Sequence, residues 1–173
     1  MDCSDGWLDW PVHAHKFRIQ IKVVQMLKTG DKAPDFMLEN DEGGRFRLSE
    51  NRGEKILLVF YPGDNTPVCT RQLCDYRDGV EAFAGLGVRV VGISSDGIES
   101  HRKFRQRHQL PFTLLSDPDL SVASQYDSKG LLGMKRSVFL VDEEGVLRYA
   151  HIESVPLFRR KREELLQVIG QLG

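Results

Sequence analysis

Short apolar runs and longer mixed-polarity stretches take turns along the chain, and their order outlines the fold. Ile56-Leu57-Leu58-Val59-Phe60 is an unbroken apolar run inside Lys55–Tyr61, as expected of a buried central strand. Val88–Ser94 (VRVVGIS) reads as a second buried strand, and Phe112–Leu115 as a short one after Pro111. Asp35–Glu39 and Arg45–Leu48 flank Asp41-Glu42-Gly43-Gly44, a hairpin signature. Ser137–Val141 and Val146–Ile152 form another strand pair around Asp142-Glu143-Glu144-Gly145. Between the strands, Val68 to about Phe83 has a helical pattern, closed by Gly85 and Gly87. Ile98–His108 predicts a helix with a heavily basic face, on which His101 and His108 are expected to be solvated. Asp117-Pro118-Asp119 predicts the start of a short helix through Tyr126, with Asp117 as N-cap and Pro118 in the first turn. A last amphipathic helix is expected from about Phe158 to Ile169.

Strands separated by helices and finished by a hairpin predict a layered α/β domain. Residues 26–173 carry these regular signals, with no repeat, low-complexity tract or interdomain linker. Residues 1–25 differ: they hold both tryptophans, Cys3 and two of the five histidines. Their acidic start and lack of a continuous apolar segment do not fit a signal peptide. Phe17, Ile19, Ile21 and Val23 alternate with polar residues, which suits a short strand. A poorly ordered extension is the preferred expectation for this segment.

Composition narrows the function. The 173 residues suffice for one sizeable core, and a 40% apolar, 28% charged chain is ordinary for a globular domain. A formal net charge of −1 points to neither nucleic acid nor a membrane surface as partner. The apolar runs are too short to span a bilayer. Three cysteines are too few for a secreted disulfide framework. In a reducing compartment such as the cytoplasm, two close cysteines point to catalysis or metal binding.

The chemistry concentrates in YPGDNTPVCTRQLCDYRD, residues 61–78. Cys69 follows a buried strand and a loop, at the expected start of a helix. There, unpaired backbone N–H groups and the positive end of the helix dipole favour a thiolate. Cys74 stands five positions further on. Out of context, Cys74 reads as a small buried hydrophobe on a helix. Arg136 likewise reads as an ordinary surface arginine at a strand start.

The context changes both readings. Tyr-Pro-x-Asp-x-Thr-Pro before Cys69, Cys-x4-Cys, and Met134–Asp142 together resemble the signature of peroxiredoxins, specifically the Q subfamily or bacterioferritin-comigratory type. Met26 begins MLKTGDKAPDF, which resembles the usual first residues of that family. The resemblance implies a thioredoxin-like fold, a central mixed sheet flanked by helices with an N-terminal β-hairpin. It implies a thiol peroxidase acting on hydrogen peroxide and organic hydroperoxides, with no cofactor and no metal. Cys69 would be the peroxidatic thiol and Cys74 the resolving one, closing an intramolecular disulfide opened by thioredoxin or a similar dithiol. Pro62 would shield the thiolate, Thr66 would hydrogen-bond both sulfur and peroxide, and Arg136 would lie beside the Cys69 sulfur. The N–H groups of Val68 and Cys69 would serve as further donors. Subfamily precedent implies a monomer, sometimes a dimer. The segment Asp127–Lys135 (DSKGLLGMK) is shorter than is common there.

Peroxide reduction demands more than an ionised sulfur. A free thiol with pKa about 8.5 is a few per cent thiolate at pH 7. Lowering a thiol to about 6 gains about 30-fold, part of which is lost because a less basic thiolate is a weaker nucleophile. A dedicated peroxidase needs far more, so donors that stabilise charge on the leaving oxygen must supply the rest.

Competing classes fit less well. A thioredoxin-like dithiol oxidoreductase would use Cys-x-x-Cys. A cysteine hydrolase needs a histidine base in a recognisable setting, which His101, His108 and His151 lack. Zinc sites usually need a second ligand pair. A non-enzymatic thiol redox sensor would share the chemistry and differ only in lacking turnover.

Overall fold

The computed structural model describes residues 27–155 and 157–172. The expectations placed on residues 1–26 lie outside the described residues. In chain order the elements are β1 Met37–Asn40, β2 Arg45–Arg47, a 3-10 turn at Leu48–Asn51, β3 Lys55–Phe60, α1 Pro67–Arg77 and α2 Val80–Gly85. Then come β4 Val88–Ser94, α3 Ile98–His108, β5 Thr113–Ser116 and α4 Ser121–Gln125. The chain continues through β6 Lys129–Gly130, β7 Gly133–Met134, β8 Ser137–Val141, β9 Leu147–Ile152 and α5 Arg162–Leu172.

Seven strands make one mixed sheet in the order β2-β1-β5-β4-β3-β8-β9, and β6-β7 form a separate small hairpin. Strands β3, β4 and β5 run parallel, joined by helical crossovers, while β8 runs antiparallel to β3. Strand β3 has apolar neighbours on both faces. Ile56, Leu58 and Phe60 pack with Tyr126, Phe139 and Leu147 on one side. Leu57, Val59 and Tyr61 pack with Cys69, Leu73, Phe104 and Leu165 on the other. A strand buried on both faces reads as a continuous apolar run, which is why β3 and β8 were visible without alternation.

The structure corrects four expectations. The predicted helix over Val68–Phe83 is two helices, α1 and α2, with Gly79 between them. A Cβ at Gly79 would collide with the Arg162 side chain, so the close approach of α5 requires glycine there. The short helix after Asp117 starts later, at Ser121, behind Leu120 in the left-handed region at φ 58°. Asp117 still caps it, from further back: its buried carboxylate accepts from Val122 N–H at 3.2 Å and Ala123 N–H at 2.8 Å. The last helix begins at Arg162, and Phe158 stays 63% exposed. Finally, His101 is not on a solvated face; it is fully buried.

Candidate active site

Register explains how residues 67 positions apart meet. Antiparallel pairing sets Phe60, the last residue of β3, opposite Ser137, the first of β8. The loop leaving β3 and the residue entering β8 therefore lie side by side. The loop turns through Asn65 at φ 58°, a conformation asparagine tolerates. Pro67 then occupies the first turn of α1, where no amide hydrogen is needed. Cys69 falls in that turn, fully buried. The N–H groups of Val68 and Cys69 belong to the set that a helix start leaves without intrahelical acceptors.

Arg136 is buried and aims its guanidinium at Cys69: Nη2 lies 3.3 Å from Sγ. Its Nη1 donates to Gln72 Oε1 at 2.5 Å. Gln72 Nε2 donates to Tyr76 Oη at 3.0 Å, and Tyr76 donates to the Arg160 carbonyl at 2.8 Å. A continuous hydrogen-bonded chain thus runs from residue 160 to the sulfur. Burial pushes the Tyr76 phenol well up, so its proton stays on as a donor. The carbonyl of Arg136 accepts from Glu153 N–H at 2.8 Å, fixing its backbone. Arg136 Nε is buried with no acceptor among the described residues.

Thr66 is exposed, and its hydroxyl donates to the Gly63 carbonyl at 3.2 Å. That bond occupies its hydrogen and leaves oxygen lone pairs as acceptors, which differs from the expected donation to sulfur. Pro62 is half-buried between Tyr61 and Gly63 at the root of the loop.

Beneath the loop sits a group that sequence reasoning missed. Asp64 Oδ2 accepts from Ser100 Oγ at 2.7 Å and lies 2.9 Å from His101 Nδ1. Asp64 Oδ1 accepts from Tyr61 Oη at 2.9 Å. His101 Nε2 lies 3.1 Å from the Leu115 carbonyl, so both ring nitrogens have an oxygen within hydrogen-bond distance. Burial raises the Asp64 carboxyl, but the bond and charge of His101, with bonds from Ser100 and Tyr61, outweigh it and hold the group below its ordinary value. The Asp64 N–H in turn donates to Asp96 Oδ2 at 2.7 Å, tying the loop to the end of β4.

Cys74 lies two turns along α1, half-buried, and both cysteines are free thiols. Its sulfur is 3.9 Å from His108 Nδ1. The signals for the missed residues were spacings. Gln72 and Tyr76 stand three and seven positions after Cys69, on its helix face. His101, Phe104 and His108 follow the same spacing on α3. Among the described residues no cluster of three or more His, Cys, Asp or Glu side chains could hold a metal ion. No helix among them is long and apolar enough to cross a membrane.

A model of the AhpC/TSA family matches residues 29–150. Peroxiredoxin Bcp of Bacillus subtilis is 43% identical over 129 residues, covering 70% of this chain and 82% of the relative. The chloroplastic peroxiredoxin Q of Sedum lineare is 39% identical over 125 residues, covering 70% of this chain and 67% of the relative. Among solved structures, peroxidoxin BcpB from Mycobacterium tuberculosis aligns with a TM-score of 0.74 at 32% identity, over 86% of this chain and 97% of that one. Peroxiredoxin Q of Xanthomonas campestris aligns at 0.71 and 26% identity, over 79% and 89%. The thioredoxin-like architecture expected from the sequence agrees with these neighbours. The chain belongs to the AhpC/TSA family, and within it is a peroxiredoxin of the Bcp/Q type, a thiol peroxidase.

Proposed function

We propose that Cys69 attacks the peroxide and Cys74 resolves the product, so that one chain completes the oxidative half of the cycle. The Cys69 thiolate displaces one peroxide oxygen, which leaves as hydroxide or alkoxide, and becomes a sulfenic acid. Arg136 supplies fixed positive charge and donors to the oxygens; it cannot lose its proton at working pH. Its unpartnered Nε is a further donor in the same guanidinium. Thr66, its hydrogen engaged by Gly63, accepts from the peroxide O–H. The N–H groups of Val68 and Cys69 add donors of the oxyanion-hole kind. Pro62 covers the thiolate from solvent. The single observation that carries this reading is the 3.3 Å approach of Arg136 to a fully buried Cys69.

Cys74 then forms a disulfide with Cys69, and a dithiol such as thioredoxin reopens it. Both thiols lie on one helix of one chain, so a working monomer can complete the cycle, and we place it in a reducing compartment such as the cytoplasm. The bacterioferritin comigratory protein of Xanthomonas campestris is described with alkyl peroxide reduction activity. We extend organic hydroperoxides, together with hydrogen peroxide, to this chain. The test is peroxide-dependent NADPH oxidation with thioredoxin and thioredoxin reductase. Sustained turnover with either peroxide is expected. Stoichiometric oxidation of Cys69 without turnover, under thioredoxin, glutaredoxin or dithiothreitol, would leave a sensor instead of an enzyme.

A further inference from the structure

We propose that His108 is the general base that takes the proton from Cys74 when this thiol resolves oxidised Cys69. The inference rests on the resolving role given to Cys74 above. His108 Nδ1 stands 3.9 Å from Cys74 Sγ, within reach of a sulfur hydrogen bond. Both the backbone and the ring of His108 are held. Arg77, on α1 itself, donates through Nη1 to the His108 carbonyl at 2.7 Å, so the backbone of His108 is clamped to the helix that carries Cys74. Phe104 meets the imidazole edge-on, with centroids 4.8 Å apart and planes at 62°. A third tie runs from the neighbouring Arg107 to Asn65 in the active-site loop, at 3.0 Å. The last turn of α3 is therefore fastened to both ends of the segment from the loop to the second thiol.

Resolution needs a base at this point. Cys69 in the sulfenic state is an electrophile, and a neutral thiol attacks it poorly. In the step, the Cys74 S–H bond breaks and its proton passes to His108 Nδ1. The sulfur lone pair attacks Cys69 Sγ, forming the S–S bond and breaking S–OH. The leaving hydroxide takes a proton from the imidazolium and departs as water. Cys74 is oxidised and the Cys69 sulfenic sulfur reduced, with peroxide as the original oxidant. The contact also assigns the motion. At the start of α1 Pro67 has no N–H and the N–H groups of Val68 and Cys69 lack intrahelical acceptors, the first intrahelical bond being Thr70 N–H to the Thr66 carbonyl at 2.9 Å, so this end unwinds. Cys69 travels to Cys74, which stays beside His108.

The step-resolved test uses the full chain with hydrogen peroxide. Acid quenching, thiol labelling and mass spectrometry count the Cys69 sulfenic acid and the Cys69–Cys74 disulfide separately. His108→Gln should form the sulfenic acid at the rate of the unaltered chain. Its disulfide step should slow by about 10²-fold, the lower end of general acid–base contributions. Adding imidazole to His108→Ala should restore much of the lost rate, which a packing role would not do. A disulfide step of unchanged rate in His108→Gln overturns the proposal. So does a slowed step that imidazole leaves slow, or an equal slowing of both steps. Cys74→Ser separates the two claims: if it turns over normally with thioredoxin, the resolving role itself fails, whatever His108→Gln shows.

Discussion

Cys69 and Cys74 share a helix and are held by different parts of the fold. Cys69 is fully buried and faces Arg136 from the entry to β8, which is itself braced by Gln72 and Tyr76. Cys74 is half-buried and faces a histidine from the last turn of α3. The first thiol meets a fixed cation that stabilises negative charge without exchanging protons. The second meets a group that can accept one. On the roles proposed above, a nucleophile ionised before peroxide arrives and one ionised only afterwards call for these two different partners. The helix keeps them apart: residues five apart in an α-helix have Cα atoms about 8.6 Å apart and point to nearly opposite sides. A disulfide requires less than about 7 Å.

The largest effects should come from the thiols. Cys69→Ser is expected to abolish activity with every peroxide and reductant. Cys74→Ser should still consume one equivalent of peroxide and then stop under thioredoxin. Substantial turnover by Cys69→Ser would remove the distinction between the two sites.

Arg136→Met should slow oxidation of Cys69 by about 10²–10³-fold, as for loss of one transition-state donor. Alkylation by iodoacetamide should fall much less, because that reagent reports mainly on thiolate availability. Competition kinetics with both reagents on the same variant makes the comparison. Equal losses would mean that Arg136 acts on the sulfur alone and contributes nothing to the leaving oxygen.

The oxidised protein offers a structural contrast. With the Cys69–Cys74 disulfide closed, α1 cannot remain helical between them, and local opening of this segment is held by the new bond. Amides across Val68–Arg77 should lose most of their hydrogen-exchange protection on oxidation, while β3 and β8 keep theirs. Unchanged protection in α1, with the disulfide verified by mass spectrometry, would place the pair in some other geometry.

The same contrast separates what the chain disclosed from what it withheld. Lys55–Phe60 and Ser137–Val141 were legible because burial on both faces leaves an unbroken apolar run. The loop from Tyr61 to Cys69 was legible through its specific spelling. The close approach of the Arg162 side chain to Gly79 was not, since the two are 83 residues apart. His101 was misread because Arg102, Lys103, Arg105 and Arg107 follow it in sequence and dominate the helix. Burial is decided by facing, and His101 shares a face with Phe104. Its carboxylate partner lies 37 residues back, in a loop whose path no local pattern sets.

The smallest expected effect concerns that partner. Asp64 anchors the Cys69 loop to the first turn of α3 and, among the described residues, bonds to neither Cys74 nor His108, so its loss should weaken mainly one half of the comparison. Its carboxyl side chain is 1% exposed beside His101. Replacing it by asparagine keeps the shape and removes the charge. The cost at pH 7 should be about 1.5–3 kcal/mol, the range for a hydrogen bond to a charged group. The sign with pH follows from the direction of the shift. Asp64 is held below its ordinary value of 3.8, so the unfolded chain takes up the proton first as pH falls. Its stabilisation is complete well above that value and drains away below it, through the lower value of the folded state. Asp35 and Asp142 are also held low, by their hydrogen bonds and arginine neighbours. Both are present in either protein, so their acid dependence cancels in the difference. Denaturant melts of the two proteins from pH 7 down to pH 2 should therefore converge below about pH 4. A gap that stays constant through the acid limb would mean that Asp64 holds the loop by shape, with its charge contributing nothing.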